Sequence, residues 1–339
     1  MNQDKILRWG APLALILCLA AAILAPAFVY PVFLMKLMCF ALFASAFNLM
    51  LGYVGLLAFG HAMFFGGAGY VAGIALKSWG ATPELAILAA VAFAAVAGLL
   101  MGLLAIGKHG IYFAMITLAL AQMFYFFCVQ SPLTGGENGL TVIPRGQLFG
   151  VLPLENDRVL YYVLLLIFVA AIAFIWRIVH SPMGQVLRGI SDNPARATSL
   201  GLDVERFKLL AFVLSAALAG LAGAMKAIVL QLVTLVDVSW LTSGEVILMV
   251  LIGGIGTIAG PIVGAAVILG IQNYLTGFGE WIITIQGLIF FTVVLLFRRG
   301  IVGELKHRFR ELSLRQRHPA PGRALTGMDS PPSTIETNR

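Results

Sequence analysis

Charge is what this sequence lacks most. Only 11% of its 339 residues are Asp, Glu, Lys or Arg, whereas a soluble domain carries about 25%. Hydrophobic residues make up 60% of the chain, so polar side chains are too few to cover a water-facing surface. This composition excludes an ordinary water-soluble globular protein.

Cysteine is also scarce, and the spacings that mark catalytic or metal sites are missing. Cys18, Cys39 and Cys128 all lie inside apolar runs, which predicts small core-filling residues and no disulfide framework. The five histidines have no metal-ligand spacing, and no GxSxG or HExxH motif occurs. We therefore expect no metal, no cofactor and no enzymatic activity in this chain.

Alternating strand patterns are absent, which argues against a β-barrel, while apolar runs long enough to cross a bilayer as helices recur. The predicted fold class is all-α: a polytopic integral membrane helical bundle of about ten transmembrane segments, with some broken helices. The first run is expected to be a transmembrane helix and not a cleaved signal peptide. The predicted spans are 11–29, 31–51, 55–76, 84–106, 111–130, 159–177, 209–232, 244–257, 260–276 and 281–297.

Basic residues predict the orientation of the bundle. Lys5 and Arg8 precede the first span, and the tail after residue 300 is basic. By the positive-inside rule, both termini are expected in the cytoplasm. The loop 178–208 is expected there too, and its flanking and internal cations are Arg177, Arg188, Arg196, Arg206 and Lys208. These loops account for the net charge of +7, so no nucleic-acid partner is expected.

The predicted domain organisation is a transmembrane domain over residues 1–300 and a basic cytoplasmic tail over 301–339. Beyond about residue 318 the tail is rich in Pro, Ser, Thr and Gly and is expected to be disordered. Within the domain, small residues repeat every four positions at Gly98/Gly102, Ala216/Gly220/Ala224 and Gly256/Gly260/Gly264. Such spacing predicts helices whose backbones approach closely.

Two motifs resemble nucleotide-binding signatures but lack their context. GLLAIGKH (102–109) ends in His109 where a phosphate-binding loop needs Ser or Thr, and it lies at the end of a span. GIGTIAG (254–260) fits a dinucleotide fingerprint, but no βαβ unit surrounds it. We expect the second motif to break or kink a helix beside a pathway.

Glu84, Glu245 and Glu280 fall at the ends of predicted spans, where interfacial water is expected to solvate them. No paired intramembrane carboxylates are apparent, although a proton-driven pump would need such groups. If this chain transports a solute, its energy source is therefore expected on another protein.

The stretch MGQVLRGISDNPARATSLG (183–201) predicts two short, well-capped helices. Ser181-Pro182 and Asn193-Pro194 are N-cap signals, and Gly201 is a C-cap signal. An apolar stripe at helical spacing is formed by Met183, Val186, Leu187 and Ile190. Two interpretations remain: a helix resting on anionic lipid, or a docking element for a cytoplasmic partner such as an ATPase. We favour the second, because a capped helix transmits a push and the chain lacks its own motor.

Four stretches carry a resemblance to a known family, over about residues 30–300. They are SPMGQVLRGISDNPARATSLGLDVERFKLLAFVLSAALAGLAGA (181–224), GLLAFGHAMFFGGAGYVAG (55–73), GIYFAMITLALAQM with TGGENGL (110–123, 134–140) and GGIGTIAGPIVGA (253–265). Together they resemble permease subunits of bacterial ABC importers for branched-chain amino acids, of the M type rather than the H type.

The resemblance assigns residues to three groups. Positions matching the ATPase-coupling motif are Gly184, Arg188, Asn193, Pro194, Ala197 and Gly201; Ser191-Asp192 stands where the family pattern has an Arg-acidic pair. Positions in stretches attributed to the translocation path are Gly60, His61, Gly69, Tyr112, Thr117 and Gln122. Positions matching the periplasmic loop are Thr134, Gly135, Gly136, Asn138 and Gly139. His61 either lines the pathway or hydrogen-bonds a neighbouring helix, and Thr117 has the alternative of bonding its own backbone.

The resemblance further implies partners and a location. It implies a second permease subunit of the H type, two cytoplasmic ATPase subunits that hydrolyse ATP, and a periplasmic substrate-binding protein, all at the bacterial inner membrane. The residues do not distinguish leucine, isoleucine and valine from urea, amides or aromatic acids as the substrate. An alternative function is a stand-alone secondary transporter or channel for a small polar solute such as urea or an amide, which broken helices would suit.

Overall fold

The computed structural model describes residues 22–27, 29–108, 110–148, 150, 152–275, 281–296 and 300–304. The helices are α1 Pro31–Tyr53, α2 His61–Lys77, α3 Pro83–Ala105, α4 Ile111–Gln130, α5 Asp157–Val179, α6 Pro182–Asp192, α7 Pro194–Ser199, α8 Val204–Leu230, α9 Trp240–Gly253, α10 Gly260–Tyr274 and α11 Trp281–Leu296. The strands are β1 Leu140–Thr141, β2 Gln147–Leu148, β3 Leu152–Pro153 and β4 Leu232–Val233. The expected helical bundle is confirmed.

Among the described residues, five helices are long and apolar enough to cross a membrane, namely α1, α3, α4, α5 and α8. The 23 residues of α1 rise about 35 Å at 1.5 Å per residue, more than a hydrocarbon core of about 30 Å. The protein is therefore a multi-pass membrane protein. Most of the predicted span 11–29, with Cys18, lies outside the described residues, as do Lys5, Arg8 and the tail 305–339.

Helix α8 occupies the centre of the bundle, where it packs against α1, α2 and α3. In the most apolar 18-residue stretch of α8, 72% of the residues are buried, as they are in α1. In the corresponding stretches of α3 and α4, only 28% of the residues are buried. The predicted small-residue contacts are present: Gly98 faces Ala216, and Gly220 faces Ala94. Cys39 and Cys128 are buried, as expected of core-filling residues.

The chain is broken between α1 and α2, a feature we call the first break (residues 54–60). After Tyr53 the helix ends, Gly55 adopts φ +76°, and α2 begins only at His61. His61 lies level with Ser215, near the middle of α8, because their side chains are hydrogen-bonded. The predicted span 55–76 is thus corrected: its first residues are non-helical and run into the bundle before α2 starts.

A second break (residues 254–259) separates α9 from α10, as expected for GIGTIAG. Gly254 and Gly256 have φ of +119° and +72°, conformations that glycine adopts without steric cost. The Asn48 side chain of α1 holds this break, since its Nδ2 donates to Thr257 O (2.8 Å) and its Oδ1 accepts from Gly256 N (3.0 Å). Irregular backbone at this depth is therefore covered by protein.

The crossing that contains α9 begins earlier in the structure than the predicted span 244–257. After β4 the chain turns inward through a 3₁₀ turn, Leu235–Val238, and continues as α9 to the second break. Polar residues at the start of this segment lower its mean hydropathy, yet Thr242 and Ser243 are buried in the bundle. Segment 232–254 therefore makes the crossing as a 3₁₀ turn followed by a 14-residue helix.

The two ends of the bundle differ, and we name them the loop end and the strand end. The loop end carries α6 and α7 between α5 and α8. The strand end carries the antiparallel pairs β1–β4 and β2–β3. Gly300 packs against Gly254 of the second break, so the chain leaves α11 on the same side as the loop end.

Candidate functional site

Side-chain caps fix the loop between α5 and α8, as the sequence predicts. Ser181 Oγ accepts from Gly184 N (3.4 Å), Asn193 Oδ1 from Arg196 N (3.0 Å), and Asp203 Oδ1 from Arg206 N (3.2 Å). Each cap satisfies a backbone donor that a helix start leaves unpaired. Two connected short helices, α6 and α7, result.

Helix α6 is seated firmly on the bundle. Leu187 and Ile190 of the predicted apolar stripe are fully buried. Gly184 lies directly against the carbonyl oxygens of Ile178 and Val179, so a Cβ there would collide with backbone. Gly189, on the same helix, has nothing near its Cβ position. The inner face of α6 is therefore fixed, while its outer face is exposed.

The loop touches the first break directly. The Arg188 guanidinium lies 5.2 Å from the centroid of the Tyr53 ring, at the end of α1. A Cβ on Gly55 would lie 2.8 Å from Ser191 Oγ. Two successive turns of α6 thus contact the point where α1 ends, so a displacement of α6 acts on the first break without an intervening element.

The remaining predicted loop residues lie on or beside the exposed face. Asn193, Pro194 and Gly201 are exposed, and Ala197 is buried against the bundle. Gly201 adopts φ +81° as the expected C-cap, and Leu202 N donates to Ala197 O (3.2 Å). The exposed Arg188, Asn193 and Pro194 surround a surface that a partner can reach.

His61 sits at the start of α2 in a sealed aromatic pocket. Its Nε2 lies 2.8 Å from Ser215 Oγ, and Ser215 Oγ donates to Ala46 O (2.6 Å). The single hydroxyl proton is committed to Ala46, so His61 Nε2 is the donor to Ser215. The rings of Phe47, Phe64 and Phe212 pack edge-on around the imidazole. His61 ties α2 to α8 and α1.

The other residues attributed to the path do not form one cluster. Gly60 lies against the Thr117 carbonyl, and Thr117 Oγ1 donates to Ala114 O (2.9 Å) within α4. Tyr112 is 72% exposed on the outer face of α4, and Gln122 is half-buried. Gly69 lies two turns along α2, against Gly223. The structure therefore brings Gly60, His61 and Thr117 together and leaves the other three apart.

The predicted periplasmic motif lies at the strand end. Thr134 Oγ1 lies 2.6 Å from Cys128 O, at the last turns of α4. Gly135, Gly136 and Gly139 have φ of +78°, +59° and +70°, and Asn138 ends the 3₁₀ turn between them. Gly139 packs against the Val233 carbonyl. The motif therefore rests directly on the strand that enters the crossing 232–254.

Sequence reasoning missed a group of charges inside the bundle. Lys226 of α8 forms a salt bridge with Asp237 of the 3₁₀ turn, and each side chain is only 9% exposed. Glu245 is not at a span end: it lies inside α9 and accepts a hydrogen bond from Gln272 Nε2 of α10 (3.3 Å). Lys36 of α1 is within electrostatic range of all three charges. The lone lysines inside predicted spans 31–51 and 209–232 were the available clue.

Among the described residues, no group of three His, Cys, Asp or Glu side chains is placed to hold a metal ion. The geometry instead combines a rigid loop, two helix breaks and a buried set of charges.

Comparison with known proteins agrees with this architecture. The chain is 28% identical over 273 residues to the high-affinity branched-chain amino acid transport system permease protein LivM of Escherichia coli, covering 74% of this chain and 64% of the relative. It is 27% identical, with the same coverage, to LivM of Salmonella typhimurium. The matched part thus spans less than two thirds of these relatives.

A shorter match reaches a second kind of subunit. Over 106 residues the chain is 30% identical to a probable branched-chain amino acid transport permease protein LivH of Methanocaldococcus jannaschii, covering 30% of this chain and 29% of that one. No solved structure matches. Because residues 29–297 match the family described as the permease component of branched-chain amino acid transport systems, the chain belongs to that family.

Proposed function

We propose that this chain is one membrane-spanning subunit of an ATP-driven importer that moves branched-chain or related amino acids into the cytoplasm. The observation that carries the proposal is the contact between the capped loop and the first break, through Arg188–Tyr53 and Ser191–Gly55. A partner that pushes on α6 displaces the end of α1 and the entrance to α2 together.

The exposed loop residues support docking of an ATPase there. Ser181 caps the start of α6 and Asn193 caps the start of α7. Capped helices keep their shape when a partner pushes on them, whereas a flexible connection does not. Gly184, Arg188, Asn193, Pro194, Ala197 and Gly201 form the proposed docking element, with the buried members holding the exposed ones in place. ATP hydrolysis itself belongs to the partner subunits.

The proposed orientation places the loop end in the cytoplasm. Arg188, Arg196 and Arg206 gather there, as the positive-inside rule requires. Gly300 lies at the same end, which supports a cytoplasmic C-terminal tail. The strand end then faces the periplasm of the bacterial inner membrane, and Thr134–Gly139 is the proposed contact for a substrate-binding protein.

The proposed assembly contains this chain, a second permease of the H type, two ATPase subunits and the binding protein. Support comes from the relatives, which carry the names of two different permeases, LivM and LivH. To test the assembly, the chain is purified through an affinity tag after Arg339 in mild detergent. Two ATPase subunits and a second permease are expected, and the reconstituted complex should accumulate leucine only with ATP.

One observation favours the alternative of a stand-alone secondary transporter. The buried charges Lys226, Asp237 and Glu245 are the embedded ionisable groups that ion-coupled transport uses. Inhibitors of the two energy sources distinguish the two functions by their effects on uptake. Depleting ATP abolishes uptake by the importer, whereas a protonophore abolishes uptake by a proton-coupled carrier even when ATP is present.

A further inference from the structure

The buried charges lie where the backbone leaves regular helix. Asp237 belongs to a 3₁₀ turn preceded by Gln231, whose φ is +53°, and followed by the start of α9. The turn sits against Gly66 of α2, where a Cβ would collide with Asp237 and Val238. Discontinuous helices near the middle of a membrane commonly form the solute sites of transporters. The position is therefore suited to a solute.

The Lys226–Asp237 pair is neutral overall and completely enclosed. Asp237 Oδ2 accepts from Thr234 N (3.0 Å) and Thr234 Oγ1 (3.2 Å) as well as from Lys226. A buried ion pair contributes little to stability, since apolar residues of similar volume replace it at no cost or with a gain. Asp237 closes a capping box with Thr234, but a neutral Asn would serve that cap without a buried counter-ion, so the cap alone does not explain two charges at this depth.

Further polar groups lie around the pair. Lys36 and Glu245 add a second opposite pair within electrostatic range of Lys226 and Asp237. The Tyr70 hydroxyl, in a side chain only 2% exposed, has no hydrogen-bond partner among the described residues. It lies one turn beyond Gly66 on α2 and within electrostatic range of Asp237. An unpaired buried hydroxyl is unfavourable, and a hydrogen bond from a bound polar ligand would offset that cost.

A zwitterion carries one positive and one negative charge, which are the counter-ions that Asp237 and Lys226 would lose if they separated. If the turn moves outward, Lys226 and Asp237 separate, and each loses its counter-ion inside the bundle. An α-amino acid supplies a carboxylate for Lys226 and an ammonium group for Asp237, so that the number of charges remains balanced. The apolar side chain of the same solute then meets Val238 and Val233, both buried beside the pair.

We propose that Lys226 and Asp237, with Tyr70, Lys36 and Glu245 around them, form a transit site for the zwitterionic head group of an α-amino acid, closed by the ion pair when empty. This inference rests on the proposed function and adds the place where the chain recognises its solute. It also explains why the Thr134–Gly139 loop lies on Val233: movement of that loop reaches the 3₁₀ turn through one strand.

The test uses the complete transporter in proteoliposomes with ATP, and leucine as the probe. In the double variant Lys226→Met/Asp237→Asn both charges are removed, while the Asn amide keeps an acceptor for Thr234 N. We expect leucine uptake to fall at least about tenfold, with the complex intact and its ATPase activity stimulated as in the wild type. The matched control Asp157→Asn removes the charge of the partly exposed acid in the other described ion pair near the strand end, and its uptake should stay within about twofold.

Three results would overturn the site. Uptake near the wild-type rate in the double variant would show that the pair is only structural. Leucine leakage without ATP would show that the pair only fastens the turn. Absence of leucine uptake in the wild type would overturn the proposed function, and the site with it.

A second variant decides the matter if the double variant does not assemble. Tyr70→Phe removes a hydroxyl that has no hydrogen-bond partner among the described residues, so the variant is expected to keep its fold. We expect the KM for leucine uptake to rise at least about tenfold, the loss typical of one hydrogen bond to a charged group. An unchanged KM in this variant would contradict the site.

Discussion

The loop end and the strand end hold the chain by different means. At the loop end, three side-chain caps, a stacked Arg188–Tyr53 pair and the Asn48 bracket join α6, α1 and both breaks. At the strand end, the segment 231–239 is held by two-residue strands, by glycines with positive φ and by one buried ion pair. In the proposed function, the loop end acts as a lever that moves as one piece. The strand end is built as a closure that can be released.

The largest effect is expected where the lever meets the bundle. Gly184→Ala places a Cβ against two backbone carbonyls, which costs roughly 3 kcal/mol, enough to lower uptake more than about tenfold. Gly189→Ala, on the same helix with open space around it, should keep uptake and improve helix propensity. Leucine uptake and ATPase activity in proteoliposomes measure both. Equal behaviour of the two variants would refute the tight seat of α6.

At the strand end, the matched pair is Gly139 and Gly80, which both have positive φ. Gly139→Ala adds a clash with the Val233 carbonyl to the strain of a left-handed residue, a cost of about 2 to 3 kcal/mol. Gly80→Ala meets no atom and carries only about 1 kcal/mol of strain. Thermal unfolding in detergent should separate them by several degrees, with Gly139→Ala the lower.

The third largest effect is expected at Asn48, whose side chain hydrogen-bonds the backbone of the second break. Asn48→Ala leaves Gly256 N and Thr257 O without their partner, which costs about 2 kcal/mol. Ser45→Ala, one turn earlier on α1, removes a hydroxyl that bonds only the Ala41 carbonyl of its own helix and should cost less than about 1 kcal/mol. The same unfolding assay compares them. A Ser45→Ala variant as unstable as Asn48→Ala would show that the bracket has no special role.

The smallest effect concerns the contact between lever and first break. Tyr53→Leu removes the ring beneath Arg188, a loss of about 1 kcal/mol, and should raise the amount of ATP hydrolysed per leucine transported about threefold. Tyr53→Phe keeps the aromatic face and should stay near the wild type. The ratio of hydrolysis to uptake is the readout. If Phe and Leu give the same ratio, coupling does not pass through this ring.

Sequence reasoning succeeded where the physics is local. The caps at Ser181 and Asn193, the turn at Gly201 and the break at GIGTIAG depend on residues within a few positions of each other, and all are present. The close-packed glycines followed from a four-residue spacing in the same way. The helical class followed from the apolar composition together with the absence of alternating strand patterns, because only helices and closed barrels satisfy their backbone groups in lipid.

The parts that could not be predicted depend on distant pairs. Asn48 and Gly256 lie 208 positions apart, and His61 and Ser215 lie 154 apart. Nothing near Asn48 in the sequence marks it as the clamp of a break. The start of the crossing at 232 was missed for a different reason: buried Ser and Thr made an inward-facing segment look like a surface. In a membrane protein, polarity marks the interior as often as the exterior.

The central claim is that the exposed face of α6 and α7 receives an ATPase that drives both breaks. The most direct measurement places a photo-reactive amino acid at Arg196, exposed on α7, and irradiates native membranes. We predict a cross-linked product containing an ATP-binding subunit, identified by mass spectrometry, whose yield changes when ATP is added. Cross-links to lipid alone, with normal uptake by the same cells, would contradict the account.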